Sequence, residues 1–379
     1  MMKICMINPS DFPRSEIFNL GYHLGERGHE ITILYPTDGK IINAKGHVQA
    51  IPFPASFLAK IHYTVPNFGY EYKVIKNLIE KENYDIIQVC DYDYLTAIPP
   101  LIAKKLLNLS VILSTDAFPG ISWYFGNKFV DTVGKMYTKT LGKHILKSAD
   151  ELVVLGNNLT HDALRLGVSP EKLHVIPIGV DITKFTPDSQ QNGLKPVINI
   201  EYGEKVILFV GRLSLVKRVD ILIEATKQLV NLGYKIRTLI IGEGEFKDYY
   251  QKKARGFKEI QFLGKISNDE LPRYYRIADI FVLPSISEGL PNVLLEAAAC
   301  AIPIIATDTG CISDIVIHNR NGFLVKSGEV SEFLYYIKHL LDDPELSKTF
   351  GYQGHEHVTK NYDWNRIVSM YEALYQKYG

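Results

Sequence analysis

Two doubly wound α/β domains are the fold that this sequence predicts. The first reason is length, since 379 residues exceed one ordinary core and domains of ~100–200 residues make two the natural count. The second is a series of short β-branched runs whose near-continuous apolar character is typical of parallel strands covered on both faces. The third is that segments with helical spacing separate most of these runs, and strand–helix alternation indicates doubly wound structure.

The predicted strands form two sets with a polar stretch between them. The first half of the chain contains KICMIN, EITILY, DIIQVC, SVILST, ELVVLG and LHVIPI, and the second half contains KVILFVG, IRTLIIG, IQFLGK, DIFVLP, IPIIAT and GFLVK. Between the sets, DITKFTPDSQQNGLKPVINIEYGEK is rich in Asp, Pro, Gly and Asn and interrupts the alternation. We therefore place the first domain at 1–182 and the second at 195–360.

Three segments predict amphipathic helices. They are SEIFNLGYHLGERGH, RVDILIEATKQLVNLGY and the tail NYDWNRIVSMYEALYQKYG, which forms a third region at 361–379. Their apolar faces consist of Ile17, Leu20 and Leu24 in the first, Leu222, Ala225, Leu229 and Leu232 in the second, and Ile367, Met370, Tyr371 and Leu374 in the tail. Gly233 is a plausible C-terminal stop for the second helix.

Composition excludes several classes of function. The chain has 42 Lys plus Arg and 42 Asp plus Glu, so its net charge is zero, without the basic excess of a nucleic-acid-binding protein. The first residues contain no apolar leader region, and no run reaches the ~18 apolar residues of a membrane span. The 4 cysteines form no CxxC pair, so we expect buried free thiols and a cytoplasmic protein.

A pair of glutamates is the clearest candidate for a site. Glu288 and Glu296 lie in SEGLPNVLLEAAACA, directly after a strand that we expect to end at Ser285. We expect Glu288 in a loop, Pro291 at the first helical position and Glu296 inside the helix. The backbone N–H groups of a helix start bind anions, and ligands of parallel sheets bind at the carboxyl ends of strands. The arrangement therefore favours a long ligand with a phosphate and hydroxyl-bearing rings, although Glu296 could equally be a solvated helical residue.

Two basic residues follow the first strand of the second domain. Arg212 and Lys217 lie in LFVGRLSLVKRVDILIEA, five residues apart. Each alone would be an ordinary surface charge, but their place at a strand's carboxyl end favours phosphate binding. The GEGE sequence at 242–245 is a weak glycine motif, for which a turn at a strand end is the simplest interpretation.

Several blocks resemble the retaining glycosyltransferases of family 4 (GT4). SISEGLPNVLLEAAACAIPIIATDTGCISDIV resembles the E-x7-E signature of that family, and LFVGRLSLVKRVDILIEA, LIIGEGEF, IQFLGKISNDELPRYYRIADIFVLPS and IPIGVDITKF resemble its other blocks. The resemblance covers most of residues 150–330 and is specific in combination. It implies the GT-B fold, in which two Rossmann-like domains face each other across a cleft. The first domain would bind the acceptor, the second would bind a nucleotide sugar, and the tail would return to the first.

The resemblance also implies a role for each site residue. Glu288 would hold the hydroxyls of the transferred sugar, Glu296 the ribose hydroxyls, and Arg212 and Lys217 the diphosphate. The helix N-terminus would add backbone donors, and no metal or other cofactor would be needed. The further donor-binding positions are Gly289, Leu290, Asn292, Val293 and, near the base, Ile266. We expect a UDP-sugar rather than a GDP-sugar as the donor.

The first domain departs from the family pattern. The strand SVILST ends before Asp116, where many members carry a histidine before the aspartate, so Asp116 would contact the sugar or the acceptor hydroxyl, or would only cap a turn. The glycine-rich loop that is common after the first strand is absent, and Asp11 and Arg14 take its place. Three other residues replace glycines of the pattern: Arg218, Ala301 and Cys311.

A basic stripe bears on the acceptor. Lysines recur every four residues, and apolar residues recur at the same interval on the opposite face of one predicted helix. The lysines are Lys135, Lys139, Lys143 and Lys147, the apolar residues are Val133, Tyr137, Leu141 and Ile145, and the aromatics just before them are Trp123, Tyr124, Phe125 and Phe129. One interpretation is a domain helix whose lysines face water. The other is peripheral contact with an anionic membrane on its cytoplasmic face, with a lipid-linked or cell-surface glycan as acceptor.

Three alternatives from other classes stay open. A sugar-nucleotide epimerase of the same architecture would need acidic and basic groups from both domains, and no such set is apparent in the sequence. A nicotinamide dehydrogenase would need a GxGxxG opening the first helix, which this chain lacks. A non-catalytic sugar-nucleotide-binding partner subunit would keep the glutamate and basic pairs without transfer activity.

Overall fold

The computed structural model of the chain describes residues 1–10, 13–37, 46–58, 63–187, 198, 200–326 and 328–378. Its contacts divide the chain into two compact units. The first unit comprises Met1–Trp123, Lys128–Gly179 and Trp364–Gly379, and the second comprises Tyr124–Asn127 and Val180–Asp363. Most of the predicted boundary between 182 and 195 lies outside the described residues. The assignment of acceptor binding to one domain and donor binding to the other stays a prediction.

The first unit is built on an eight-stranded sheet with the order β4-β3-β2-β1-β5-β6-β7-β8. Its strands are β1 Lys3–Ile7, β2 Glu30–Thr37, β3 Val48–Leu58, β4 Tyr63–Pro66, β5 Ile86–Cys90, β6 Ser110–Thr115, β7 Glu151–Val154 and β8 Leu173–Val175. Only β4 runs antiparallel to its neighbour within this sheet. Its helices are α1 Ser15–Glu26, α2 Phe68–Glu82, α3 Ile98–Leu107, α4 Lys128–Tyr137, α5 Lys143–Ser148, α6 Thr160–Arg165 and, from the end of the chain, α14 Trp364–Tyr375. The chain order reverses between β1 and β5, which is the switch point where open α/β sheets bind ligands.

The second unit is built on a fully parallel six-stranded sheet with the order β11-β10-β9-β12-β13-β14. Its strands are β9 Lys205–Val210, β10 Ile236–Ile241, β11 Ile260–Gly264, β12 Ile280–Leu283, β13 Ile304–Thr307 and β14 Gly322–Val325. Its helices are α7 Val219–Asn231, α8 Lys247–Ala254, α9 Leu271–Ile277, α10 Asn292–Ala299, α11 Ile312–Ile315, α12 Val330–Asp342 and α13 Pro344–Tyr362. Because β9 and β12 are neighbours, the loops that follow them lie side by side at the carboxyl edge of this sheet.

The structure confirms the predicted fold class and all twelve predicted strands, and it adds two. The sequence pattern does not indicate β3 and β4, because proline interrupts the apolar run of β3 at Pro52 and Pro54. Proline donates no ladder hydrogen bond and is tolerated towards the edge of a sheet, which is where β3 and β4 lie. The predicted strands were recognisable because their buried residues are consecutive, as in β5, where all five are buried.

The three predicted helices form as α1, α7 and α14. The predicted face of α1 is buried, and the aromatic and aliphatic residues of α14 belong to the same core as β1 and α1. One prediction on α7 is wrong, since Leu232 is 59% exposed. Leu232 is the residue after the helix end, and Gly233 at φ +88° turns the chain away there. All four cysteines are free and buried. Across the described part of the chain, every helix is too short or too polar to span a bilayer.

Candidate functional site

The predicted residues of the second unit collect at the carboxyl edge of its sheet. Lys217 ends a short 3₁₀ turn at Leu215–Lys217 after β9, and Glu288 lies in the loop between β12 and α10. Lys217 Nζ is 2.5 Å from Glu288 Oε1. Glu288 is 7% exposed, and Ile286 N–H donates to the Val216 carbonyl at 2.9 Å, so backbone and side chain both join the two loops. A charge-assisted pair that is largely screened from water is a strong local contact.

Gly310 holds the Glu288 loop from its other side. A Cβ on Gly310 would lie 1.9 Å from the Glu288 carbonyl oxygen, and its φ of +55° is one that side chains disfavour. The next residue, Cys311, donates its N–H to the Gly289 carbonyl at 3.0 Å and is fully buried. Cysteine is therefore accommodated where the family pattern has a second glycine, whereas Gly310 cannot be replaced without moving the loop.

Two other replacements of family glycines occupy left-handed backbone. Arg218 has φ +46° and Ala301 has φ +57°, which is the conformation that glycine adopts without strain. Arg218 follows Lys217 directly and forms an ion pair with Asp220 at 3.1 Å. Both positions thus have the backbone conformation that favours glycine, at the small energetic cost of a side chain in the left-handed region.

Arg212 lies at the same edge but is more open than Lys217. Its side chain is 51% exposed, and its Nε is 3.3 Å from Glu245 Oε2. Glu245 belongs to the GEGE sequence after β10, where a Cβ on Gly244 would lie 2.4 Å from the Leu213 carbonyl oxygen. The predicted turn at this strand end is therefore confirmed, and its glycines allow it to pack against the Arg212 loop.

The helix after Glu288 begins one residue later than predicted. Pro291 is the extended N-cap at φ −76° and ψ 112°, and α10 starts at Asn292. Leu294 N–H donates to the Pro291 carbonyl at 3.0 Å, so Pro291 accepts the first hydrogen bond of the helix from the residue position that precedes it. Similarly, β12 ends at Leu283, two residues before the predicted end at Ser285. Gly289 and Leu290 are buried, while Asn292 and Val293 are half-buried at the helix start.

Glu296 is not a solvated helical residue. Its Oε2 accepts a hydrogen bond of 2.7 Å from the hydroxyl of Tyr275, which is fully buried on α9. Burial of the carboxyl group raises the pKa of Glu296 to about 7, and the Tyr275 hydrogen bond and the nearby charge of Lys184 act in the opposite direction. The carboxyl group therefore changes its charge near neutral pH. No sequence pattern had indicated Tyr275.

Ile266 lies at the outer end of the same edge. It is half-buried and follows β11, which β10 separates from β9. The structure thus brings Arg212, Lys217, Glu288 and the start of α10 to adjoining loops, while Ile266 is two strands away from Lys217. Asp116 belongs to the first unit, where it follows β6.

Asp116 is part of a cluster of acidic residues at the carboxyl edge of the first sheet. Arg14, the N-cap of α1, pairs with Asp91 and donates to Glu16 at 2.7 Å. Burial, the largest cause, raises the pKa of Asp91 and of Asp116 to about 7, and that of Asp93 to about 6. The Asp91 carboxylate raises the pKa of Asp116 further, and the Arg14 guanidinium lowers it. One guanidinium therefore faces several carboxyl groups that hold protons readily.

This cluster was only partly visible in the sequence. The departures from the family pattern point to Arg14 and Asp116 but not to Asp91, and Asp11 lies outside the described residues. A signal existed, because DYD at 91–93 follows a predicted strand directly. Glu16, Cys90 and Asp91 bring three possible metal-ligand atoms within 4.8 Å of one another. The Arg14 guanidinium already occupies both carboxylates, and burial raises the pKa of the Cys90 thiol well above its usual value, so this group does not fit a metal ion.

Comparison with known proteins decides the family. Residues 17–184 match the family model described as Glycosyltransferase Family 4, and residues 190–357 match the model described as Glycosyl transferases group 1. The chain belongs to glycosyltransferase family 4. The recognition made from the E-x7-E block is thereby confirmed, and this family 4 chain is a glycosyltransferase of GT-B type.

Curated relatives and a solved structure agree with that membership. The chain is 26% identical to the N-acetyl-alpha-D-glucosaminyl L-malate synthase of Bacillus anthracis over 378 residues, 94% of this chain and 91% of that one. It is 29% identical to the UDP-Gal:alpha-D-GlcNAc-diphosphoundecaprenol alpha-1,3-galactosyltransferase of Escherichia coli, over 71% of this chain and 70% of that one. Anabaena HepE, solved in complex with UDP and glucose, has the same fold with a TM-score of 0.79, 18% identity and full coverage of both chains.

Proposed function

We propose that this family 4 glycosyltransferase moves a sugar from a nucleoside-diphosphate sugar to an acceptor hydroxyl, with retention of anomeric configuration and without a metal ion. The observation that carries the proposal is the Lys217–Glu288 pair beside the N-terminus of α10. It combines a cation, a carboxylate and backbone N–H donors at the carboxyl edge of a parallel sheet. The cation and the N–H donors suit a diphosphate, and the carboxylate suits sugar hydroxyls.

The diphosphate would be bound by Lys217, Arg212 and the start of α10. Departure of the nucleoside diphosphate builds negative charge on its phosphate oxygens, and fixed donors aimed there stabilise the transition state more than the ground state. Lys217 would exchange part of its contact with Glu288 for the phosphate. Glu288 would then be available to accept hydrogen bonds from the hydroxyls of the transferred sugar, next to Gly289 and Leu290.

The nucleoside would be bound by Glu296 and the loop at Ile266. A carboxylate accepts two hydroxyl donors at once, which suits the ribose diol. Tyr275 occupies Oε2 of Glu296 and so fixes the orientation of the carboxyl group. The half-buried Ile266 would pack against the base, whose polar edge would be read by backbone groups of that loop.

The acceptor would be bound by the first unit, where Asp116 would contact the sugar or the acceptor hydroxyl. A carboxyl group with a pKa near neutrality suits proton exchange with a hydroxyl group.

In the reaction the bond between the anomeric carbon and the phosphate oxygen breaks, and the electron pair leaves with the nucleoside diphosphate. The acceptor oxygen forms the new bond on the same face, and its proton passes to the departing phosphate.

Relatives support a UDP-sugar donor and a lipid-linked acceptor. The name of the Escherichia coli relative contains UDP-Gal and a diphosphoundecaprenol acceptor, and HepE was solved with UDP and glucose. The Bacillus anthracis relative is named for a small acceptor, L-malate. We favour the lipid-linked or cell-surface glycan because the first unit also carries an exposed amphipathic helix, α4. The four buried free thiols support a cytoplasmic location.

A donor panel tests the proposal. Thermal-shift measurements with UDP-, GDP- and ADP-sugars should show stabilisation by one nucleotide class, with UDP-sugars expected. Release of nucleotide from that donor should then rise on addition of a lysate containing the acceptor, and EDTA should leave the rate unchanged. NMR of the product should show the anomeric configuration of the donor.

Three results would contradict parts of this proposal. Donor binding without acceptor-dependent nucleotide release would indicate a non-catalytic partner subunit. A requirement for a divalent ion would exclude the metal-free mechanism. Conversion of the nucleotide sugar into an isomer, with no acceptor consumed, would indicate an epimerase.

A further inference from the structure

Helix α4 carries an apolar stripe on its outer surface. Phe129 is 77% exposed, Val133 49% and Met136 64%. Positions i, i+4 and i+7 lie on one face of an α-helix, so the three side chains form one continuous row. None of the ten residues of α4 is fully buried, which is unusual for a helix of a domain.

The opposite face of α4 anchors the helix to the first unit. A Cβ on Gly120, which has φ +70°, would lie 2.3 Å from the Asp131 carbonyl oxygen, so the backbones meet closely there. A Cβ on Gly134 would lie 3.2 Å from Pro119 Cβ. Thr138, just after α4, donates its hydroxyl to the Pro119 carbonyl at 2.9 Å. These anchoring positions are about 140–200° from the apolar stripe at 100° per residue, so the stripe points outwards.

The four apolar residues that were predicted to share one face of this segment differ in burial. Val133 and Leu141 are 49% and 43% exposed, Tyr137 is half-buried, and Ile145 is fully buried. A five-residue π-helical turn at Thr138–Gly142 lies between α4 and α5. A π turn shifts the faces of the helix, so a single four-residue period does not continue through it.

Lysines line one side of the stripe. Lys128 and Lys135 precede Phe129 and Met136 by one residue each, and Lys139 continues the row one turn later. Lys128 and Lys135 lie about 100° from the apolar stripe, Lys139 lies in the π-helical turn that follows α4, and all three are exposed. No ion pair joins any of them to a carboxylate among the described residues. The acidic residue of α4, Asp131, lies on the anchoring face.

We propose that this surface of α4, formed by Phe129, Val133 and Met136 with Lys128, Lys135 and Lys139, binds an anionic lipid bilayer. The apolar side chains would enter the boundary between headgroups and acyl chains, as in helices that lie in the membrane interface. The lysine stems would run along that boundary with their ammonium groups at the lipid phosphates. Charge complementarity decides the occupant, because the row of cations has no acidic neighbour on the outer surface of the helix.

The apolar stripe changes the expected salt dependence. Lysines alone would give binding that high salt abolishes, since screening removes attraction to the surface. Insertion of Phe129, Val133 and Met136 adds a contribution that salt does not screen. Binding should therefore weaken with salt but persist in part. Substitution should separate the contribution of the lysines from that of the apolar stripe.

Vesicle co-sedimentation of the full chain tests the proposal, and it requires neither donor nor acceptor. The wild type should pellet with vesicles that contain phosphatidylglycerol and remain largely in solution with phosphatidylcholine alone. Replacing Lys128, Lys135 and Lys139 with glutamine should reduce partition at low salt by about 100-fold, at about fivefold for each lysine. Replacing Phe129, Val133 and Met136 with serine should reduce it roughly 10- to 100-fold, including at high salt.

Matched controls come from exposed residues of the second unit. Replacing Lys252, Lys258 and Lys348 with glutamine, or Leu232 and Tyr352 with serine, should leave partition unchanged. Thermal shifts by the nucleotide donor should be the same in all variants, which shows that they are folded.

Two outcomes would overturn the proposal. One is a wild type that stays in solution with anionic vesicles at low salt. The other is a wild type that dimerises in analytical ultracentrifugation and becomes monomeric in the serine variant, since the stripe would then bind a second copy of the chain. Failure of vesicle binding would leave the proposed transfer reaction untouched, because donor binding and acceptor-dependent release of nucleotide are measured separately from vesicle binding.

Discussion

At the carboxyl edge of each sheet, loops bring charged side chains together, but the two edges differ in the balance between cations and carboxyl groups. In the second unit, Lys217 pairs with Glu288 and Arg212 pairs with Glu245. In the first unit, the Arg14 guanidinium forms ion pairs with both Asp91 and Glu16, and Asp116 lies close by. Burial raises the pKa of Asp91 and of Asp116 to about 7.

The comparison shows that parallel strands determine where loops meet, while side chains determine what those loops can bind. A one-to-one ion pair holds both groups charged and can open to admit a ligand with charges of its own. A cluster with more carboxyl groups than cations holds protons and offers both donors and acceptors to hydroxyl groups. The two edges therefore differ in the expected response to substitution and to pH.

The largest effect is expected at Glu288. The substitution Glu288→Gln should lower transfer by ~10²-fold or more, the scale of losing one preorganised contact to the transition state. The fold should persist, because a loop carboxylate contributes little to the core. Turnover with the preferred donor measures the effect, and Glu243→Gln, which removes an exposed ion-paired carboxylate of the same unit, is the control. Near-normal turnover of Glu288→Gln would remove Glu288 from the proposed site.

The second largest effect is expected at Lys217 and Arg212, and it should differ in size between them. Charge-assisted bonds to phosphate contribute ~1.5–3 kcal/mol, so Lys217→Ala and Arg212→Ala should weaken nucleoside-diphosphate binding by ~10- to 150-fold. Lys217 should lie at the upper end, because its side chain is 21% exposed against 51% for Arg212. Calorimetric titration measures both. Lys205→Ala, which breaks an ion pair of 2.8 Å with Asp279 at the opposite end of β9, should bind normally.

If the Lys205 variant weakened binding as much as the Lys217 variant, the loss would reflect general charge and not a built site. Equal losses in Lys217 and Arg212 would show that exposure does not decide their contributions.

A smaller effect is expected on the pH dependence of nucleotide binding. Glu296 must be ionised to accept two hydroxyl donors, so binding should rise as pH rises through its pKa of about 7. The Tyr275 hydrogen bond lowers that pKa, and Tyr275→Phe should move the midpoint upwards by about one to two pH units. Titrations across pH measure the shift. Tyr362→Phe, which removes a 2.8 Å hydrogen bond from another buried tyrosine to the Asp314 carbonyl, should leave the midpoint unchanged.

An unshifted midpoint in the Tyr275 variant, with affinity lowered equally at every pH, would mean that Tyr275 supports the fold around α10 without acting on Glu296.

The smallest effect concerns the stability of the first unit. Asp116 has its pKa raised from 3.8 to about 7, so the folded state binds the proton more tightly than the unfolded state. Its contribution to stability is complete below 3.8 and is lost as pH rises to about 7. Asp116→Asn should therefore reduce the fall in the free energy of unfolding, and with it the fall in melting temperature, across that window, by up to about 1.4 kcal/mol for each pH unit. Scanning calorimetry measures it, with Asp162→Asn on α6 as control.

A fall in melting temperature that is as steep in Asp116→Asn as in the wild type would place the proton uptake on Asp91 or Asp93 instead.

Local pattern was sufficient for much of this protein. The twelve strands were predictable because each is a short apolar run buried on both faces, and α1 and α14 were predictable because their apolar residues repeat with the helical period. The relation of Glu288 to Glu296 also follows from local structure, since a loop and a helix of known rise separate them. The family blocks are local as well, and they identified the GT-B fold.

Tertiary structure decided the contacts between segments that are distant in the chain. Lys217 meets Glu288 because β9 and β12 are neighbours, and Tyr275 meets Glu296 because α9 packs beside α10; neither adjacency follows from the pattern of one segment. The direction in which α4 presents its apolar side chains was likewise decided by packing. Gly120 and Gly134 allow close backbone approach on one face of α4, which leaves Val133 on the exposed face. Hydrophobic periodicity predicts that a helix has an apolar face, but it does not show what covers that face.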